Sequence, residues 1–125
     1  MIYLDYDDLI VVATRVIGSP PVVRDQGLLE AAAFRPRATA LGSDAYPTLW
    51  SKSAALMESL ARSHPLVDGN KRLALGSVIV MLGMNGHRLT MTNDQAYDFT
   101  IAVATGQFED VATVADFLEG SAIPR

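Results

Sequence analysis

From Leu73 to Met84 the chain carries apolar side chains on nearly every face a helix could present: Leu73, Leu75, Val78, Ile79, Val80, Met81 and Leu82. Such a helix has almost no solvent face, so it predicts a central element with others packed around it. It is too short for a bilayer, which needs about 20 apolar residues. Directly before it stands His64-Pro65-Leu66-Val67-Asp68-Gly69-Asn70-Lys71-Arg72. These residues read as a polar loop emptying into the N-terminus of the buried helix, where backbone N–H groups and the helix dipole favour an anion. Lys71 and Arg72 add positive charge where the dipole disfavours it, and a negative ligand between them resolves the conflict. Phosphate chemistry is the leading reading of these residues.

The remaining pattern is also mostly helical. Asp5 caps a predicted helix to about Ile17, ended by Gly18-Ser19-Pro20-Pro21, and Asp25 caps a short one through Ala33. Phe34 to Pro47 lacks a helical period and contains Pro36, Gly42 and Pro47, so it is read as a loop or short hairpin and a candidate binding element. Thr48–Ser63 is amphipathic, with Leu49, the Lys52 stem, Leu56, Met57 and Leu60 at helical spacing. The motif loop and the Asn70–Asn85 helix follow, and Asn85-Gly86 closes that helix. Thr92 and Gln95 form a capping box for a helix to about Thr105, stopped by Gly106. A last helix is expected from about Glu109 to Glu119, with a loose tail at Ser121–Arg125. The expected fold class is all-α, a compact helical bundle forming one domain over residues 1–125.

Composition excludes several functions. Half of the 125 residues are hydrophobic, enough for a real core. A net charge of −4 argues against broad nucleic-acid binding. The absence of cysteine removes disulfides and thiolate metal sites and suits a reducing cytoplasm. The start, Met1-Ile2-Tyr3-Leu4-Asp5, does not have the form of a signal peptide.

Within the motif, His64 can accept a proton from an attacking hydroxyl, because imidazole is largely neutral at pH 7. An isolated loop histidine more often caps or packs; the mouth of a phosphate-type loop shifts the balance toward chemistry. His87 falls in a turn and is read as solvent-facing. Asp68 is either the single carboxylate that helps hold Mg²⁺ beside phosphate oxygens or the N-cap of the following helix. Gly69 permits a sharp turn and close backbone approach, and Asn70 can donate an amide or cap. Lys71 acts as a point charge, whereas Arg72 can grip two phosphate oxygens. Arg62, near a helix C-terminus, is balanced between a structural role and a phosphate contact. Arg35 and Arg37 are read as exposed, with a partner contact as the lesser alternative. The spacing of a Walker loop is missing.

The string HPLVDGNKR resembles the signature of the Fic/Doc superfamily, His-x-Phe-x-(Asp/Glu)-(Gly/Ala)-Asn-(Gly/Lys)-Arg, and its Asn-Lys-Arg ending is similar to the Doc (death-on-curing) branch. The likeness runs from about Val23 to Glu119, and Ala104-Thr105-Gly106 matches a further Doc segment. It implies a helical Fic/Doc-like fold, with the Phe34–Pro47 stretch as a target-docking flap that could pair with an extended peptide. By the same resemblance His64 is the general base, Asp68 the Mg²⁺ ligand, Gly69 and Asn70 the phosphate loop, and Lys71 and Arg72 phosphate contacts. Leu66 replaces the usual Phe in what is a packing role. Lys71 stands where adenylylating Fic enzymes have Gly, and in the Doc branch it accompanies transfer of the γ-phosphoryl group of ATP. The resemblance therefore implies a toxin that phosphorylates elongation factor Tu and is restrained by an antitoxin folding into a groove. The inhibitory-helix motif of many Fic proteins is incomplete here, since Ala115 occupies its hydroxyl position ahead of Glu119-Gly120. Adenylyl transfer and a non-catalytic phosphate- or nucleotide-binding module are the alternatives.

Overall fold

At five of the six helices a side chain just before the first turn decides where the helix begins. In the computed structural model, which describes residues 1–125, helix α1 (Tyr6–Ile17) starts on Asp5, which accepts the Asp8 N–H at 2.9 Å. Helix α2 (Gln26–Phe34) starts on Asp25, and α3 (Leu49–Ser63) starts on Thr48 in a reciprocal pair with Ser51. Helix α4 spans Asn70–Met84. Helix α5 (Asn93–Thr105) opens with the Thr92–Gln95 capping box. Helix α6 (Val111–Gly120) begins on Asp110, so Glu109 lies outside it. Each cap satisfies a backbone N–H that the first helical turn leaves without a partner.

Between α2 and α3 the irregular stretch resolves into a 3₁₀ turn at Arg35–Arg37 and a hairpin of β1 (Thr39–Ala40) and β2 (Ser43–Asp44). Leu41 and Gly42 form its two-residue turn, both with positive φ (52° and 82°), the combination that matches strand twist. The hairpin base is held by Lys52 of α3. This lysine is only 2% exposed, and its Nζ donates to Asp44 Oδ2 at 3.1 Å and to the Pro36 carbonyl at 3.2 Å.

The expectation of a loose tail is overturned. Strand β4 (Ala122–Pro124) pairs antiparallel with β3 (His87–Leu89), and the Arg125 N–H donates to the Gly86 carbonyl at 2.8 Å. The start of the chain docks at the same turn, where the Ile2 N–H donates to Asn85 Oδ1 at 2.9 Å and Asn85 Nδ2 donates to the Ile2 carbonyl at 2.8 Å. His87 is likewise not a free turn residue: it is half-buried in β3, edge-on to Trp50 with ring centroids 4.9 Å apart.

The fold is mainly helical, with α3 and α4 at its centre. Helix α3 packs on α2, α4, α5 and α6, and α1 packs on α4. A single cluster of 23 buried residues runs through all six helices, including Leu9, Leu29, Leu60, Leu73, Val103 and Leu118. Helix α4 is less enclosed than its sequence suggests. It buries Leu73, Ala74, Val78, Met81 and Leu82, but Ile79 faces solvent on the flank its neighbours leave uncovered. Where α1 crosses α4, a Cβ on Gly76 would sit 2.8 Å from Val16 Cγ1, so the glycine sets the spacing of the pair.

Candidate active site

Pro65 ends α3. Proline cannot donate an N–H, and its ring disfavours helical backbone in the residue before it. His64 leaves the helix, and does so in the left-handed conformation, φ 55° and ψ 58°, where a following proline favours extended backbone. For a residue with a Cβ that conformation costs about 1–2 kcal/mol, so the surroundings must hold it. From there Pro65 and Leu66 turn into the core, where Leu66 is buried.

Two devices shape the loop between α3 and α4. The first is the strand-like segment Val22–Asp25. Val23 pairs with Leu66, the Val67 N–H donates to the Val22 carbonyl at 3.0 Å, and the Arg24 and Asp25 N–H groups reach the Pro65 carbonyl at 2.8 and 3.0 Å. The second is Asn70, 8% exposed. Its Oδ1 accepts the Leu66 N–H at 2.9 Å and its Nδ2 donates to the Leu66 carbonyl at 3.0 Å. Oδ1 and one N–H of the amide are thus engaged in closing the loop, which leaves the second amide N–H and the backbone N–H for a ligand.

Gly69, with φ 89°, occupies the N-cap of α4. The close approach it permits is to α1: an added Cβ would lie 2.6 Å from Ile17 Cδ1 and 2.8 Å from Cγ1. Asp68 therefore does not cap α4. Its Oδ1 accepts the Gly69 N–H at 2.9 Å, and the carboxylate is exposed. Helix α4 is left as the one helix of the six without a side-chain cap. Its first helical bond runs from the Leu73 N–H to the Gly69 carbonyl at 2.9 Å, so the N–H groups of Asn70, Lys71 and Arg72 have no partner within the helix.

This helix end opens on a cleft of about 610 Å³. One wall is His64, Val67, Asp68, Gly69, Asn70, Lys71, Arg72 and Leu75; the other is Asn93, Ala96, Tyr97, Thr100 and Ile101 of α5. The side chains of Lys71 and Arg72 are exposed and take part in none of the ion pairs of the molecule. Arg62 is placed elsewhere. Its guanidinium donates to the carbonyls of Val103 (2.8 Å), Phe108 and Glu109 (3.3 Å) and pairs with Glu58 at 3.3 Å. Of its two expected roles, the structural one is the role the geometry supports, because the fork is spent on the end of α5 and the segment after it.

The Val22–Asp25 segment and the α5 wall lie outside the motif. The segment has no signal of its own, since its bonds are non-local and main-chain. The wall has one: Asn93, Ala96, Tyr97, Thr100 and Ile101 recur at helical spacing and share a face.

A helical protein whose histidine-led loop runs through Asp68, Gly69 and Asn70 into an uncapped, doubly cationic helix start has the arrangement expected of a Fic/Doc domain. The Fic/DOC family model matches residues 3–82, and the chain belongs to that family. It is 47% identical to Toxin Doc of Mycolicibacterium smegmatis over 111 residues, covering 89% of this chain and 81% of that protein. It is 35% identical to Protein kinase doc of Escherichia phage P1 over 101 residues, covering 81% and 78%.

Proposed function

We propose that this protein is a Doc-type toxin: a cytoplasmic kinase that moves the γ-phosphoryl group of ATP to a serine or threonine hydroxyl of elongation factor Tu and so halts translation. The observation that carries the reading is the convergence of His64, Asp68, Lys71 and Arg72 with the uncapped start of α4 on one cleft. The names of the two relatives, a toxin and a protein kinase, point the same way. No helix is long and apolar enough to cross a membrane.

In this reading the triphosphate lies against the first turn of α4. The free N–H groups of Asn70, Lys71 and Arg72 and the two cationic side chains offset its charge. His64 accepts the proton of the target hydroxyl as that oxygen bonds to the γ-phosphorus, and the bond from the γ-phosphorus to the bridging oxygen breaks to release ADP. Asp68 is the only carboxylate on the cleft, and no three histidine or acidic side chains cluster to hold a metal unaided. That donor set fits Mg²⁺ held mainly by phosphate oxygens and water, with Asp68 as its protein ligand. Such an ion would supply charge neutralisation for the transferring phosphoryl group. Lys71, in place of the glycine of adenylylating relatives, favours phosphoryl over adenylyl transfer. A separate antitoxin supplies restraint, in line with the incomplete inhibitory motif at Ala115.

The test is the intact mass of elongation factor Tu after incubation with the protein, ATP and Mg²⁺. A gain of one phosphoryl group that disappears in His64→Ala, with the helical content of that variant unchanged, is the expected result. An adenylyl-sized gain would transfer the reading to AMP chemistry. No gain would leave a nucleotide-binding module.

A further inference from the structure

Helix α3 ends unlike the other five. In each of those the N–H of the residue after the helix returns to a carbonyl inside it; His64 makes no such bond, and Pro65 has no N–H to offer. The last carbonyls of α3 are instead taken by Arg24, 40 residues before His64. Its Nε donates to the His64 carbonyl at 2.7 Å and its Nη2 to the Ser63 carbonyl at 3.0 Å. Its own N–H donates to the Pro65 carbonyl at 2.8 Å. One residue therefore ties down three consecutive carbonyls, and only the planar fork of a guanidinium can reach the first two together. Arg24 has no acidic partner, and its charge lies on the end of α3, where the dipole is negative.

We infer that Arg24 is the positioning residue of His64, holding its backbone in the left-handed conformation that turns the imidazole into the cleft. The inference rests on the reading of His64 as the proton acceptor. The conformation is disfavoured twice, by the Cβ of His64 and by the following proline, and persists only where neighbours over-determine it. Without the two side-chain bonds the residue relaxes toward extended backbone, which redirects its Cβ. Arg24 would then act on the rate through His64 without touching ATP.

Two variants separate this from an ordinary helix cap. Arg24→Met keeps the aliphatic stem and loses every side-chain donor; Arg24→Lys keeps the charge and a donor. For Arg24→Met, kcat for phosphoryl transfer should fall about 100-fold, the scale of a small misplacement of a reacting group. KM for ATP should stay within about twofold, because the phosphate contacts are untouched. The Cα and Cβ chemical shifts of His64 should move from left-handed toward extended values, and Arg24→Lys should recover part of both effects. A lower Tm with unchanged kcat and unchanged His64 shifts would make Arg24 a cap only and overturn the inference. If Arg24→Met does not fold, Arg24→Lys decides: intermediate shifts and kcat support the role, wild-type values overturn it. If the wild-type protein transfers no phosphoryl group, the functional reading fails, and the shifts alone still decide whether Arg24 holds His64.

Discussion

Gly69 shows how much one position can be asked to do. It must adopt a φ of 89°, cap α4 without a side chain, and pass within contact of Ile17. Gly69→Ala should lose about 1–2 kcal/mol for the left-handed backbone alone, and more through the displaced Ile17. Urea unfolding measures the loss, and adding Ile17→Ala should return the steric part and leave the backbone part. An alanine variant as stable as the parent would contradict this account. These positions also mark the limit of what the sequence discloses. The residue types of the motif announced a loop, a helix start and positive charge, and the structure brings His64, Asp68, Gly69, Asn70, Lys71 and Arg72 to one cleft. It could not disclose that the Asn70 amide is turned inward onto Leu66, or that Arg62 is spent on carbonyls at the end of α5 and in the segment after it. Both depend on which neighbours the fold delivers.

Among the elements, helix starts were the most legible part. Asp5, Asp25, Thr48 and Thr92 each cap a backbone N–H three residues on, an exchange contained in the local sequence. Asp110 belongs to the same class, displaced by one residue from the expected start. Side-chain and backbone hydrogen bonds from Thr113 hold its carboxyl below the usual carboxylate range. Its contribution to α6 is therefore complete above that range and is lost as pH falls through the lowered value. Amide protection in the first turn of α6, taken relative to the intrinsic exchange rate at each pH, should fall on acidification, and Asp110→Asn should remove the dependence. The hairpin was legible only as an alternative, because its anchor is a lysine that helical spacing alone marks as a buried stem. Lys52→Met strips the donor from the Pro36 carbonyl and the partner from Asp44, at a cost of about 1–3 kcal/mol. Limited proteolysis should then cut at the exposed Leu41–Gly42 turn faster than in the parent.

The tail departs furthest from its local sequence pattern, and the reason is distance along the chain. Strand β4 is three residues long and pairs with β3 across all of α5 and α6, so no local pattern reveals it. Removing residues 122–125 deletes that ladder and both Arg125 bonds, to the Gly86 and Gly83 carbonyls. The expected cost is about 2 kcal/mol, or roughly 5–10 °C in Tm. An unchanged melt would mean that the pairing adds nothing. The same turn receives Ile2 through Asn85 and Arg125 through Gly86, at the far end of α4 from the motif, about 22 Å away by helical rise. Residues 2 and 125 are thus neighbours in space, set apart from the cleft. A short linker could join them directly, with an opening made instead in a solvent-facing turn. The order in which the helices are read from the gene is, for this architecture, separable from the arrangement that brings His64 and α4 together.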